Sequence, residues 1–419
     1  MDADERRIVS FTATSHGLVH TYELSIPILL TVWVAEFSTT AAVLGFVVAV
    51  GYGLFGVGAL PGGILVDRFG SKSAILACLL GMAASFLLAS LSPNLLTLGV
   101  AIAVWGIAAS VYHPAGLALL SKAIERRGIA LGYHGIGGNV GIAFGPLATV
   151  LLLIPFGWRV VAAVLAVPAI VAAAYGLTVD VDAALETAQG TASGDDAGGG
   201  TTGEISLSSV VGDTRTLLTV GFGLVLVFVT FSGLYYRAFL TFLPDLLGDA
   251  IAGLVEFQLV DPDSPHADEF DPARYLYVAI LLMGVFGQFL GGRIADRIDP
   301  ERGLIYAMSV LALLAALFVP ATVTTMTFLA VSLLLGVALF TVQPLSQSTV
   351  AAYSSPESRG LSFGYTYLAI FGVGSLGAGL AGTILTVAGP RELFLVLAAI
   401  AALAASTAVA IGRFGTRRD

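Results

Sequence analysis

Charge is what this chain has least of. Only 11% of its 419 residues are Asp, Glu, Lys or Arg, against 57% hydrophobic, whereas a soluble domain keeps roughly a quarter of its residues charged to face water. Lysine is nearly missing, with Lys72 and Lys122 standing alone. The scarcity is also patterned: Ser73–Ser121, Gly303–Pro356, Gly360–Pro390 and Leu393–Gly412 contain no charged residue. A membrane-crossing helix needs about 20 apolar residues, so these stretches have room for two, two, one and one spans. A water-soluble globule is excluded. Cysteine is as scarce: Cys78 lies alone inside an apolar stretch, which excludes internal disulfides and thiolate metal sites. The opening Met1–Arg7 is too acidic for the start of a signal peptide and no small-residue cleavage site follows, so the first apolar segment is expected to stay in the protein.

Apolar runs set against turn signals give twelve spans. The first six read 10–35, 41–66, 73–92, 95–120, 129–154 and 158–179; the second six read 216–243, 274–295, 303–320, 324–350, 360–386 and 391–412. Residues 180–214, with Gly194 followed by Asp195, Asp196 and Gly198 to Gly200, read as a flexible acidic cytoplasmic linker between an N-terminal bundle, 1–179, and a C-terminal bundle, 215–419. The net charge is −9, and the acids crowd into 180–213 and 245–271. Acidic, lysine-poor water-facing segments suit a salt-rich milieu, where repulsion is screened, and point to a halophilic prokaryote.

Basic residues orient the spans. With both termini inside, the cytoplasmic side of a cell membrane collects Arg6, Arg7, Arg68, Lys72, Lys122, Arg126, Arg127, Arg215, Arg293, Arg297, Arg302, Arg359, Arg413, Arg417 and Arg418, and the outside keeps Arg159, Arg274 and Arg391. The two halves also repeat one another. Gly63-Ile-Leu-Val-Asp67-Arg68 returns as Gly292-Arg-Ile-Ala-Asp296-Arg297, His113-Pro114 as Gln343-Pro344, and Gly132-Tyr133 as Gly364-Tyr365, at offsets of 229, 230 and 232 residues. The expected fold is all-α: twelve transmembrane helices in two pseudo-symmetric six-helix bundles, with a substrate site at midplane between them.

These residues resemble the major facilitator superfamily. Gly63-x-x-x-Asp67-Arg68-x-Gly70-x-Lys72 resembles its signature between spans two and three, with Ser71 where a second basic residue is usual. Gly141-x-x-x-Gly145-Pro146 resembles the glycine-proline motif of its drug antiporters. Within the superfamily, Ser15-His16, Glu36-Phe37-Ser38, Ser110-Val-Tyr-His113-Pro114 and Gly137-Gly-Asn139-Val-Gly141 are similar to the fosmidomycin-resistance type of efflux protein. The resemblance implies proton-coupled export of a small anionic or amphipathic compound; the expected working form is a monomer. Span four lacks the arginine that many drug antiporters carry there, so their coupling scheme does not transfer unchanged.

The candidate chemistry is intramembrane. His16, His20 and Glu23 follow at i, i+4 and i+7 and share one helix face. An ionisable group at the depth of Glu23 costs roughly 2.5 kcal/mol or more unless it faces protein or a wet cavity, which makes Glu23, with His20, the first proton-coupling candidate. Packing by an internal hydrogen bond is the plainer reading. His113 and His134 could relay protons or bind an anion when charged, or sit neutral against a carbonyl. Arg237, framed by Tyr235 and Tyr236, is the only arginine well inside a span. Aligning Pro27 with Pro244 sets it opposite His20, where it would hold an anionic substrate with His113 and Asn139; the alternative is snorkelling to the surface. Gly63, Asp67, Arg68, Gly70 and Lys72, with Asp296 and Arg297 as a weaker copy, form the candidate conformational latch; a topological anchor is the plainer reading.

Gly51-x-Gly53-x-x-Gly56 and Gly372-x-Gly374-x-x-Gly377 imitate a dinucleotide fingerprint, but neither follows a strand. Small residues at such spacings let membrane helices approach closely. No nucleophile–base pair and no metal cluster stands out along the chain, so neither an enzyme nor a cofactor is expected. The expected partners are lipid, a small solute and protons or sodium, with no nucleic acid. Export leads; uptake of an organic anion, or a non-transporting sensor that uses the acidic stretch 245–271 for docking, are the alternatives.

Overall fold

The structure is a computed structural model that describes all residues except 125, 182–213, 215–216, 253–270, 355–358 and 416–419, and leaves out the side chains at 67, 127, 359 and 360. The expected linker and most of the acidic stretch 245–271 therefore lie outside the described residues. In chain order the helices are α1 (Ala3–Glu36), α2 (Ala41–Val57), α3 (Ala59–Phe69), α4 (Ser71–Ser90), α5 (Leu95–Ser110), α6 (Tyr112–Ala123), α7 (Arg127–Leu153) and α8 (Trp158–Leu177). They continue as α9 (Val220–Thr241), α10 (Leu243–Ala252), α11 (Pro272–Ala295), α12 (Pro300–Ala321), α13 (Thr325–Ala352), α14 (Arg359–Tyr367), a π-helical turn at Leu368–Val373, α15 (Leu376–Val387) and α16 (Pro390–Phe414). Among the described residues none is in a strand. Among the described residues, eleven helices or joined helices are long and apolar enough to cross a membrane, and the pair α2 and α3, bent by 42°, makes a twelfth if it is one span.

The elements begin where the sequence supplies caps. Side chains of Thr40, Asn94, Thr219, Asp271 and Thr324 each accept a hydrogen bond from a backbone N–H in the first turn of the following helix, satisfying donors that lipid cannot. Two expectations are corrected. The first helix starts at Ala3, held by a capping box between Asp2 and Glu5. Residues 243–252, expected in part as loop, form the short helix α10 behind the break at Phe242.

Breaks in the spans also have local causes. Pro114 lacks an N–H, and its ring crowds the carbonyl four residues earlier, that of Ser110; the fourth span accordingly breaks at Val111, between α5 and α6. The second span breaks at Gly58, where a Cβ would stand 2.3 Å from Ser110 Oγ. The two breaks thus face each other.

Two hydrophobic clusters form the core, one drawn mainly from residues before 182 and one from residues after 216. Leu24 and Ile28 of α1, with Ile142 and Val150 of α7, pack into the second cluster, so these two helices carry the first half against the second. α1 and α7 themselves meet backbone to backbone: a Cβ on Gly141 would stand 1.9 Å from Gly17 O. The two glycine patterns that imitate a nucleotide fingerprint pack on each other. Gly53 faces Ser375, and a Cβ on Gly56 would stand 2.0 Å from Gly372 N. Their glycines set the distance between the second and eleventh spans. At the face opposite the chain termini the halves are also joined, by Ala42 N–H donating to Thr386 Oγ1 at 3.0 Å and Arg274 donating to Thr31 Oγ1 at 3.0 Å.

Candidate functional site

The deepest charges among the described residues lie on facing helices of the two halves. Glu23 of α1 and Arg237 of α9 are 1% and 2% exposed and meet at 2.5 Å between Oε1 and an Arg237 terminal nitrogen. Burying either alone would be prohibitive; together they are a neutral pair with further support. Tyr52 of α2 donates its hydroxyl to the Glu23 backbone carbonyl at 3.0 Å, and its ring lies 3.7 Å from the guanidinium carbon. Tyr236 and Phe371 flank the same cation at 5.4 and 5.5 Å. Arg237 Nε and the hydroxyls of Tyr235 and Tyr277 are buried with no hydrogen-bond partner.

The second carboxylate oxygen of Glu23 opens a chain of imidazoles. Oε2 lies 2.6 Å from His20 Nδ1, His20 Nε2 lies 3.1 Å from His16 Nε2, and His16 Nδ1 lies 2.8 Å from the carbonyl oxygen of His134. The i, i+4 spacing on α1 brings the first two rings together; α7 supplies the anchor. His134 also stacks on His16, ring centres 3.9 Å apart, and its own Nε2 is buried without a partner. Gly138 makes the room: a Cβ there would stand 2.5 Å from the His16 ring. His113, at the start of α6, brings its ring to 5.3 Å from His16 and 5.9 Å from His20. Tyr112 donates its hydroxyl to the Thr12 carbonyl and lies parallel to His16 at 5.5 Å.

Across the interface the amide of Asn139 (α7) donates to Gln288 Oε1 (α11) at 2.8 Å, and Gln288 donates to Gln343 Oε1 (α13) at 3.0 Å. Gln343 is the repeat partner of His113, so matching positions of the two halves hold different hydrogen-bonding groups.

The structure therefore gathers His16, His20, Glu23, His113, His134 and Arg237 into one cluster, with Tyr236 at its edge. Arg237 is set against Glu23 rather than His20, and it does not snorkel. Tyr235 turns its ring toward Phe239 at 5.9 Å. The expectation of no metal cluster needs correction: His16, His20 and His113 bring ligand atoms within 4.8 Å of one another. The separation of His113 from the other two along the chain concealed this. Tyr52, Gln288 and Phe371 were missed because each lies in an otherwise apolar span, although a glutamine deep in α11 was a readable signal.

The candidate latch residues lie elsewhere, at the end of the chain-terminal face. Gly70 adopts φ +83°, which only glycine takes without strain, and ends α3. Lys72 donates to the carbonyls of Val179 at 2.6 Å and Leu177 at 3.4 Å, at the C-terminus of α8. Arg68 stands over Phe69 at 5.4 Å, Gly63 has open space beside it, and Asp296 and Arg297 are exposed after α11. The side chain of Asp67 lies outside the described residues.

Solved structures share this fold. A mutant of the nucleoside transporter NupG matches with a TM-score of 0.74 at 15% identity, over 97% of this chain and 98% of its own. A bacterial homolog of the human lysosomal transporter Spinster matches in an inward-facing, occupied conformation with a TM-score of 0.74 at 14% identity, over 99% of this chain and 98% of its own. Its inward-facing, unoccupied conformation matches at 0.71 and 14%, over the same shares. No curated protein matches the sequence. Residues 13–375 and 266–418 match the Major Facilitator Superfamily, and the chain belongs to that family of membrane transporters.

Proposed function

We propose that this transporter carries a small organic anion together with a cation, by alternating access around the Glu23–Arg237 pair. The single observation behind the reading is that Arg237, the one buried cation among the described residues, already holds a carboxylate that a solute's carboxylate or phosphonate could replace. Its Nε is left over for a second bond, and Tyr52 and Phe371 offer aromatic walls. An arriving anion releases Glu23, and a bare carboxylate at that depth requires a cation. The anion and its cation therefore promote each other's binding, because each removes the other's competitor. Coupling of that sign is the logic of cotransport. A proton is the simplest cation, and His20 and His16 lead to Glu23. With the termini in the cytoplasm, as the basic residues argue, an inward proton gradient would then drive uptake.

Export remains the second reading, carried by the likeness of Ser110–Pro114 and Gly137–Pro146 to fosmidomycin-resistance efflux proteins. Proteoliposomes with an imposed pH gradient separate the two. Accumulation of a labelled organic anion in the direction of proton flow supports cotransport, and movement against it overturns that reading in favour of exchange. In the same assay Arg237→Lys, which loses the planar fork, is expected to weaken anion binding by at least tenfold. Glu23→Gln is expected to keep anion binding and lose its dependence on pH.

A further inference from the structure

Two hydrogen bonds fix where the lone pairs of α1 point. A backbone carbonyl can only accept, so the 2.8 Å contact between His16 Nδ1 and His134 O puts the His16 proton on Nδ1 and the lone pair on Nε2. Glu23, paired with Arg237, likewise accepts from His20 Nδ1 at 2.6 Å, which leaves the His20 lone pair on Nε2. Those two Nε2 atoms face each other at 3.1 Å. With both rings neutral, two lone pairs oppose across that gap, an arrangement that holds only with a cation between them.

We propose that His16, His20 and His113 bind one first-row divalent transition-metal ion, such as Zn²⁺ or Co²⁺, between the rings. Tetrahedral sites with metal–nitrogen bonds of about 2.0–2.1 Å space their nitrogens about 3.3 Å apart, close to the 3.1 Å found. Histidines at i, i+4 on a helix are also the spacing by which one helix presents two imidazoles to such an ion. His113 completes a three-nitrogen set, its ligand atom within 4.8 Å of the other two, and closes by roughly 1.5 Å to reach ligand–ligand spacing. The outer partners are already in place: a carboxylate on one ring and a backbone carbonyl on the other orient metal-bound histidines generally. An all-imidazole set selects borderline transition metals over Mg²⁺ and Ca²⁺. Three protein ligands leave a fourth position for water or an anionic solute. Because Arg237 already neutralises Glu23, an anion in that position would offset part of the ion's charge. The site does not rest on the transport reading, since an ion can bind whether or not the bundle moves an anion.

The test uses the full chain in nanodiscs, purified without a histidine tag, stripped with chelator and dialysed against Zn²⁺ or Co²⁺. One ion per chain is expected, with a nitrogen shell at about 2.0–2.1 Å by X-ray absorption and the visible bands of tetrahedral Co²⁺. His16→Ala and His20→Ala should weaken binding by at least about tenfold, and Glu23→Gln by about 10–100-fold through His20. An all-oxygen shell, substoichiometric uptake, or binding that survives the His16→Ala/His20→Ala double change would overturn the site and leave a proton as the only bridging cation. The spectra of the unaltered protein decide the matter even if a variant fails to fold. Anion flux from metal-free protein would leave the transport reading standing without the metal.

Discussion

The two halves share one plan and fill its centre with opposite chemistry. Facing the midplane, the first half presents Glu23 and the histidines from α1, α6 and α7; the second presents Arg237 from α9 and the amides of Gln288 and Gln343. Each half thus buries a charge that is paired with an opposite charge in the other, which a symmetric pair of bundles could not supply. Arg237→Met leaves Glu23 unpaired in the interior and Glu23→Gln leaves Arg237 so, each at a cost of about 3–5 kcal/mol. The double change is expected to recover most of that stability while abolishing anion binding, as read by thermal unfolding in detergent alongside ligand titration. Strictly additive losses would show that the pair does not couple the halves.

A second difference lies in how the halves touch. Gly56 meets the backbone of Gly372 across the interface, whereas Gly63, the first residue of the candidate latch and one turn into α3, has nothing within 4 Å. Gly56→Ala must push the second and eleventh spans apart and is expected to destabilise by about 1–3 kcal/mol, as overpacking does. Gly63→Ala, mid-helix and free of contact, should instead gain about 0.5–1 kcal/mol. Equal effects from the two would mean that the close approach at Gly56 plays no part in holding the halves together.

Periodicity and charge spacing made the fold readable because lipid imposes one rule on every span: apolar outside, backbone paired within. Glu23, His20 and Arg237 were readable for the same reason, since an ionisable group in an apolar run stands out. Their partnership was not. Aligning Pro27 with Pro244 set Arg237 opposite His20, but the spans so aligned differ in length by several residues, and register across an interface is set by packing. Tyr52 shows the limit most clearly. A tyrosine in an apolar span carries no mark that its hydroxyl will hold a carbonyl of α1 while its ring supports a guanidinium.

The halves differ again at the face opposite the termini, where the short helix α10 belongs to the second half alone. Burial, with Asp249 and Asp271 nearby and only Arg274 opposing, holds the Asp245 carboxyl up to about 7. A carboxyl raised in the folded state favours folding while protonated. Its contribution is full below the unfolded value of about 4 and is lost as pH rises toward 7. Asp245→Asn should therefore flatten the fall in melting temperature between those limits and leave the acid-side value nearly unchanged. An unaltered slope would assign the pH response to groups other than Asp245.

The smallest expected effect concerns the signature and its copy. Lys72 places an ammonium at the C-terminal end of α8, 3.4 Å from the carbonyl of its last residue, Leu177, and 2.6 Å from that of Val179 just beyond it, where it complements the negative end of the helix dipole. That interaction is worth about 0.3–1 kcal/mol, so Lys72→Ala should lower stability by that amount. Arg297, exposed in the copy, should change it by less than about 0.5 kcal/mol when cut to alanine. If transport slows in Lys72→Ala by far more than its stability loss explains, the segment acts on the conformational cycle and not merely on the end of α8. If Arg297→Ala slows transport equally, the copy performs the same task by a contact this conformation does not contain, and the asymmetry between the halves is confined to the midplane.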